Sequence, residues 1–243
     1  MPNWVTGTYA IKGAKNNVLN FLNEGIKKSG YEPKNDVAAA LEFLKENAVT
    51  LVTDYDYTED GAGAIIDNPA VIAKRKQLTL DTFRPMPETF LKYDTTNNEE
   101  NLKEVAQEQK KKYGCVGWYD WGIKYRGTKW NAEIDELALS ESGNTAMLTF
   151  DCTTAWSIPE GWLRWVKDTF DVKVFICASE ESDAFNFYGE LGDDEFELSE
   201  EDAPKKKDYD SDDAYDVAYY DWLIEARDKM ERDFLDYVED YKI

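Results

Sequence analysis

Residues 145–190, TAMLTFDCTTAWSIPEGWLRWVKDTFDVKVFICASEESDAFNFYGE, decide the fold. Thr145–Asp151 places Ala146, Leu148 and Phe150 at every second position, the period of a strand. Thr154 to Glu160 turns the chain, and Pro159 suits the first turn of a helix. Trp162, Leu163, Trp165 and Val166 then predict a helix over Glu160–Phe170. Val172–Ala178 is apolar without strict alternation, which predicts an interior strand. Ala184–Glu190 reads as a further strand that pairs with it as a hairpin. Strand, helix, strand, strand is much of a ferredoxin-like unit, so the class expected is α+β: an antiparallel sheet packed with helices.

Outward from this unit lies an aromatic stretch, Tyr113–Asn131, with Trp118, Trp121 and Trp130 among Tyr113, Tyr119 and Tyr125 and four glycines. Large rings at this density form a core or a contact face. As core, the three tryptophans would pack the Glu160–Phe170 helix against the sheet. As a face, they would combine with Lys124, Arg126 and Lys129 to stack nucleobases and hold phosphate. No RNP1 pattern supports the second use, and the net charge of −22 opposes it.

Nearer the start, Asn3–Lys12 predicts a strand. A helix with Val18, Phe21, Leu22 and Ile26 inward follows, capped by Asn16 or Asn17 and ended by Gly30 and Pro33. Asp36–Asn47 is a second helix with Asp36 as cap, and Ala48–Thr53 a strand. Asp54–Ala64 is turn-rich. Within it and just beyond, Asp56, Thr58, Asp60, Gly61 and Asp67 fit a calcium-loop register only loosely, and an acidic turn is the plainer reading. Leu78–Phe83 predicts a short strand before two prolines, and Glu99–Lys112 a polar helix with Leu102, Val105 and Ala106 on one side. Glu133–Leu139 fits a strand or a helical turn.

The chain has 243 residues, three cysteines and no histidine. Without imidazole there is no Ser-His-Asp or Cys-His pair and no HExxH zinc site. Three scattered cysteines cannot complete a four-cysteine cluster and suit a reducing, cytoplasmic setting. No apolar run reaches membrane-spanning length and no signal segment is visible, so no membrane partner is expected. No spacing singles out a catalytic carboxylate pair, although a metal-dependent hydrolase using acidic ligands is one alternative. The expectation is no enzyme and no cofactor.

Acidity is concentrated at the end: from Glu180 onward lie 24 of the 50 acids but only 7 of the 28 bases. Gly192–Asp213 reads as an acidic mobile loop. In Ala214–Tyr241, Tyr219, Trp222, Ala226, Met230, Phe234, Tyr237 and Tyr241 make one apolar stripe. Carboxylates on a helix pinned by such a stripe can imitate phosphate charge, with Asp221, Glu225, Asp228 and Glu231 as the candidate contacts. Solubility alone is the plainer reading of the same acids. The expected organisation is an N-terminal α+β region at 1–112, a ferredoxin-like region at 113–190, an acidic loop at 191–213 and an acidic amphipathic helix at 214–243.

Four short pieces carry a family resemblance: Met1-Pro2-Asn3-Trp4, Pro85-Met86-Pro87, Trp118-Tyr119-Asp120-Trp121 with Gly127-Thr128-Lys129-Trp130, and Ala155-Trp156-Ser157 with Pro159. Over Met1–Glu190 the chain resembles the YubB/Api92-like family of phage and plasmid proteins. Tyr125-Arg126 stands where that pattern has Asn-Trp. The resemblance implies a ferredoxin-like fold and a phage or mobile-element setting in a bacterial cytoplasm, and it implies no catalytic residues. Joined to the charge, it gives the expected function: a non-enzymatic accessory protein that binds a host protein with a basic nucleic-acid-binding surface, as a DNA mimic with an anti-defence role. The alternative is a nucleic-acid module using Trp118, Trp121, Lys124, Arg126, Lys129 and Trp130.

Overall fold

The computed structural model describes residues 3–48, 50–53, 72–93, 95, 100–181, 186–192 and 203–241. The chain begins with β1 (Trp4–Ala14), α1 (Lys15–Lys28) and α2 (Val37–Asn47). An antiparallel pair β2 (Thr50–Thr53) and β3 (Ile72–Arg75) follows, then the short helices α3 (Leu80–Phe83) and α4 (Glu88–Lys92). Next come α5 (Lys103–Tyr113) and α6 (Gly117–Trp121), which runs into a π-turn at Gly122–Arg126. The remainder is β4 (Asp135–Ser142), β5 (Thr145–Ala155), α7 (Glu160–Phe170), β6 (Lys173–Glu180), β7 (Asn186–Glu190) and α8 (Asp212–Asp240).

Five strands form one antiparallel sheet in the order β4-β5-β1-β6-β7. With α1 after β1 and α7 between β5 and β6, the first four have ferredoxin-like connectivity, and β7 adds an edge. The unit draws on both sides of residue 113, because β1 lies between β5 and β6. The 29–134 segment between α1 and β4 carries α2 to α6 and the small second sheet.

Both faces of the large sheet are covered, which explains why β1 and β6 bury consecutive residues. On the first face, Val5, Tyr9, Ile11, Leu148, Phe150, Val174 and Ile176 share a core with Phe21 and Leu22 of α1 and Trp162 and Val166 of α7. Phe21 stacks on Phe83 at 4.4 Å, and the Trp162 indole N–H donates to the Leu80 carbonyl at 3.0 Å. So Trp162 joins α7 to the sheet, not Trp118, Trp121 and Trp130. Of these, Trp121 belongs to a separate cluster with Met86, Phe90 and Cys115. On the second face, Ala10, Met147, Phe175 and Cys177 pack against Met230, Phe234 and Val238 of α8. Gly7 is required between β1 and β6: a Cβ there would lie 2.5 Å from that of Ala178.

Several expectations are corrected. Leu78–Phe83 is not a strand; Thr79 makes one bridge to Glu133, and a Thr79–Thr82 capping box starts the single turn of α3. Neither Asn16 nor Asn17 caps α1, which continues directly from β1; Asn17 instead donates to the Asp171 carbonyl at 2.9 Å. Glu133–Leu139 resolves into β4, where β5 supplies the pairing and an irregularity between Asp135 and Ala138 spoils the alternation. The buried residue of α5 is Gln109, whose side chain accepts from Thr95 at 2.6 Å and from the Gly117 N–H at 3.2 Å. The Asp36 cap accepts from Ala39 N at 3.0 Å, as its position implied. The calcium-loop residues Asp56 to Asp67 and residues 193–202 of the acidic loop lie outside the described residues; the described part of that loop holds a 3-10 turn at Lys206–Asp208.

Candidate protein-binding helix

Ser211 caps α8 by accepting from Ala214 N at 3.2 Å. Its C-terminal half lies along the sheet and is fixed by one buried cation. Lys12, on β1, donates to the carbonyls of Val238, Glu239 and Tyr241 at 2.6, 2.8 and 2.9 Å. The last carbonyls of a helix lack intrahelical partners and carry the negative end of its dipole, and an ammonium has three N–H donors. Burial pushes the Lys12 pKa down from its ordinary value, opposed by Glu239 and Asp240. Farther back, Arg227 donates to the Glu180 carbonyl at 2.9 Å, and Thr8 to Glu231 at 2.9 Å. Beyond the helix, Tyr241 donates to Glu190 at 2.9 Å, and Lys173 donates to the other oxygen at 2.6 Å. Burial pushes the Glu190 pKa up, but these two donors outweigh it and hold the carboxyl below its ordinary value.

The docked stripe is rotated from the sequence expectation. Leu223, Met230, Phe234 and Val238 are buried, whereas Tyr237 is 38% exposed and lies beside Phe175. Met230, Phe234 and Val238 pack on Phe175 and Cys177, and the Tyr237 ring stays at the margin beside Phe175 and Tyr188.

Eleven carboxylates and three bases occupy α8, and all eleven carboxylate residues are exposed. Asp221, Glu225 and Asp228 project from the outer side. Glu231 is turned toward the sheet, where the Thr8 hydroxyl lies 2.9 Å from Glu231 and 2.8 Å from Asp151, its one proton shared between two carboxylates. At ~1.5 Å rise per residue, the helix carries one net negative charge per ~5 Å, against one per ~1.7 Å of duplex DNA axis. Charge density alone therefore makes α8 a dilute copy of a duplex.

The aromatic stretch separates into buried and surface parts. Arg126, 4% exposed, is ion-paired with buried Asp81, its Nε lying 2.8 Å from Oδ1, and sits over the Trp121 ring at 5.0 Å. Lys124 donates to the carbonyls of Tyr113 and Gly114 at 3.0 and 3.4 Å, closing the end of α5. Gly127, at φ +91°, lets this loop pass under α7; a Cβ would sit 2.6 Å from Glu160 N. Trp118 is half-buried against Tyr119. Lys129 and Trp130 reach the surface, with the Lys129 ammonium 4.6 Å from the Trp130 ring centre. The six residues expected as a nucleic-acid surface thus do not share one face.

Trp4 and Trp156 were not among the candidate site residues. Trp4 lies 5.9 Å from Trp130, ring centre to ring centre. Trp156 is half-exposed at φ +73°, its N–H donating to the Asn3 carbonyl at 2.8 Å. Both occur in the short pieces that carry the family resemblance, which was the available signal; only the β1–β5 register brings them to one end of the sheet. All three cysteines are buried, and burial pushes the Cys177 thiol up to about 12. Among the described residues, no helix is long and apolar enough to cross a membrane, and no group of three or more acidic or thiol side chains is placed to hold a metal.

No family model matches the chain, and no curated protein matches it. Among solved structures, it is similar to api92 from Yersinia pseudotuberculosis, a DUF1281 protein, at 12% identity over 82% of this chain and 99% of that one. The TM-score is 0.32, too low for the likeness to carry an argument about this chain.

Proposed function

We propose that this is a non-enzymatic binding protein whose contact element is α8, presented to a protein partner with a basic surface. The carrying observation is the pairing of eleven exposed carboxylates with a helix locked to the sheet by Lys12. Fixed charges meet a complementary surface without first being ordered, which a free acidic tail cannot do. The family resemblance supplies the setting, a phage or mobile element in a bacterial host. In that setting, the fitting targets are nucleic-acid-handling or defence proteins, whose grooves are basic. A nucleic-acid partner is the weaker reading, because Arg126 is committed to Asp81 and Lys124 to two carbonyls.

The test is capture from nuclease-treated host lysate with the full chain and with an Asp221→Asn, Glu225→Gln, Asp228→Asn, Glu231→Gln variant. A partner lost from the variant, released by salt from the parent, and rebinding after purification supports the proposal. Equal capture by both chains at matched melting temperature sinks it.

A further inference from the structure

The free half of α8 is not uniformly acidic. Val217, Tyr220 and Ile224, spaced i, i+3 and i+7, are 63%, 62% and 59% exposed. Their direction follows from three contacts: Arg227 to Glu180, Glu231 to Thr8, and Lys12 to Val238. These run α8 parallel to β1. Ile224 lies two turns before Glu231 at nearly the same angle around the helix, ~10 Å back along the axis. Three strand residues span about the same distance, so Ile224 comes level along the strand direction with Val5, the residue after Trp4. Tyr220 and Val217 continue that line past the end of the sheet. Trp4, Trp130 and Trp156 occupy the same end, Trp4 at 40% and Trp156 at 50% exposure.

We infer that Trp4, Trp130 and Trp156 and the Val217–Tyr220–Ile224 stripe form one apolar docking face, which takes an amphipathic basic helix of a partner protein. The charges choose the occupant. Asp216, Asp221, Asp228 and Glu181 flank the face and outnumber the nearby bases Lys129 and Arg227, of which Arg227 is turned onto the Glu180 carbonyl; all are exposed or half-exposed. A second copy would bring an equally acidic helix against the first, whereas a segment with lysines or arginines beside its apolar residues would meet opposite charge. Tryptophan and tyrosine are the usual anchors of such contacts. The dilute charge of α8 points the same way, since a charge-only mimic has no use for an exposed isoleucine and valine between its carboxylates. The backbone of Trp156 agrees: a left-handed conformation is costly in a bulky residue, and this one is kept with the residue half-exposed.

This rests on reading α8 as a protein-binding helix, and the experiment separates the two. The probes are a labelled synthetic helix of leucine and lysine with leucines at i, i+3, i+4 and i+7, and a scrambled peptide of identical composition. The full chain should bind the ordered peptide ~10-fold or more tightly than the scrambled one, with a blue shift of tryptophan emission. Tyr220→Ser with Ile224→Ser, both at exposed positions, should erase that preference and leave the melting temperature unchanged. Equal binding of the two peptides, binding of neither, or a preference that survives the double variant would overturn the inference. So would a sedimenting dimer that the double variant dissociates, which would assign the face to a second copy. An Asp221→Asn, Glu225→Gln, Asp228→Asn variant that binds both peptides as the parent does would overturn the proposed function and the basic occupant with it, whereas loss of the ordered-peptide preference overturns this inference alone.

Discussion

Replacing Lys12 by methionine should loosen α8 selectively. The substitution keeps the aliphatic stem and removes the ammonium that satisfies the carbonyls of Val238, Glu239 and Tyr241. The Glu239 and Tyr241 carbonyls have water within reach. The Val238 contact is buried, so its carbonyl loses its partner at a cost of about 1–3 kcal/mol. Loss of a partly buried cation from the negative end of the helix adds about 1 kcal/mol. The sum is ~2–4 kcal/mol, set against the burial of Met230, Phe234 and Val238, worth ~1.5–3 kcal/mol each before ordering costs. The helix should therefore stay docked but open more often. Hydrogen exchange read by mass spectrometry should accelerate ~30- to 1,000-fold in 223–241, with β5 and α7 unchanged. Acceleration below threefold would refute the assignment of Lys12 as the clamp. Equal acceleration in the sheet would show that the helix and sheet open as one unit.

The Asp81–Arg126 pair gives a second expectation: Arg126→Met alone should cost ~3–5 kcal/mol by leaving a buried carboxylate unpaired, while Asp81→Leu with Arg126→Met should recover most of it in urea unfolding. A single variant within 1 kcal/mol of the parent would return Arg126 to the list of surface contacts. Glu190 gives a pH dependence. Its folded pKa is lowered, so its contribution is present above the ordinary value of 4.5 and lost as pH falls through the folded value. Melting temperatures on acidification should drop more steeply for the parent than for Glu190→Gln; parallel curves would contradict the Lys173–Glu190–Tyr241 link.

The sequence by itself determined the elements whose partners are near in the chain. Alternation in Thr145–Asp151, helical spacing through Trp162 and Val166, and the Asp36 cap are local, because side-chain direction repeats with the backbone period and a cap acts within one turn. The acidity of α8 was equally plain, since charge needs no partner to be counted. Only the tertiary structure decided which aromatic residues are core. Trp121 and Trp130 stand nine residues apart, yet one is enclosed by Met86 and Phe90 and the other meets Trp4 at the surface. It also decided that Arg126 is spent on Asp81, 45 residues away, and that α8 turns Phe234 and Val238, not Tyr237, into the sheet. Such choices depend on the β1–β5 and β1–β6 registers, which are set by burial summed over the whole sheet and leave no periodic trace in any single stretch.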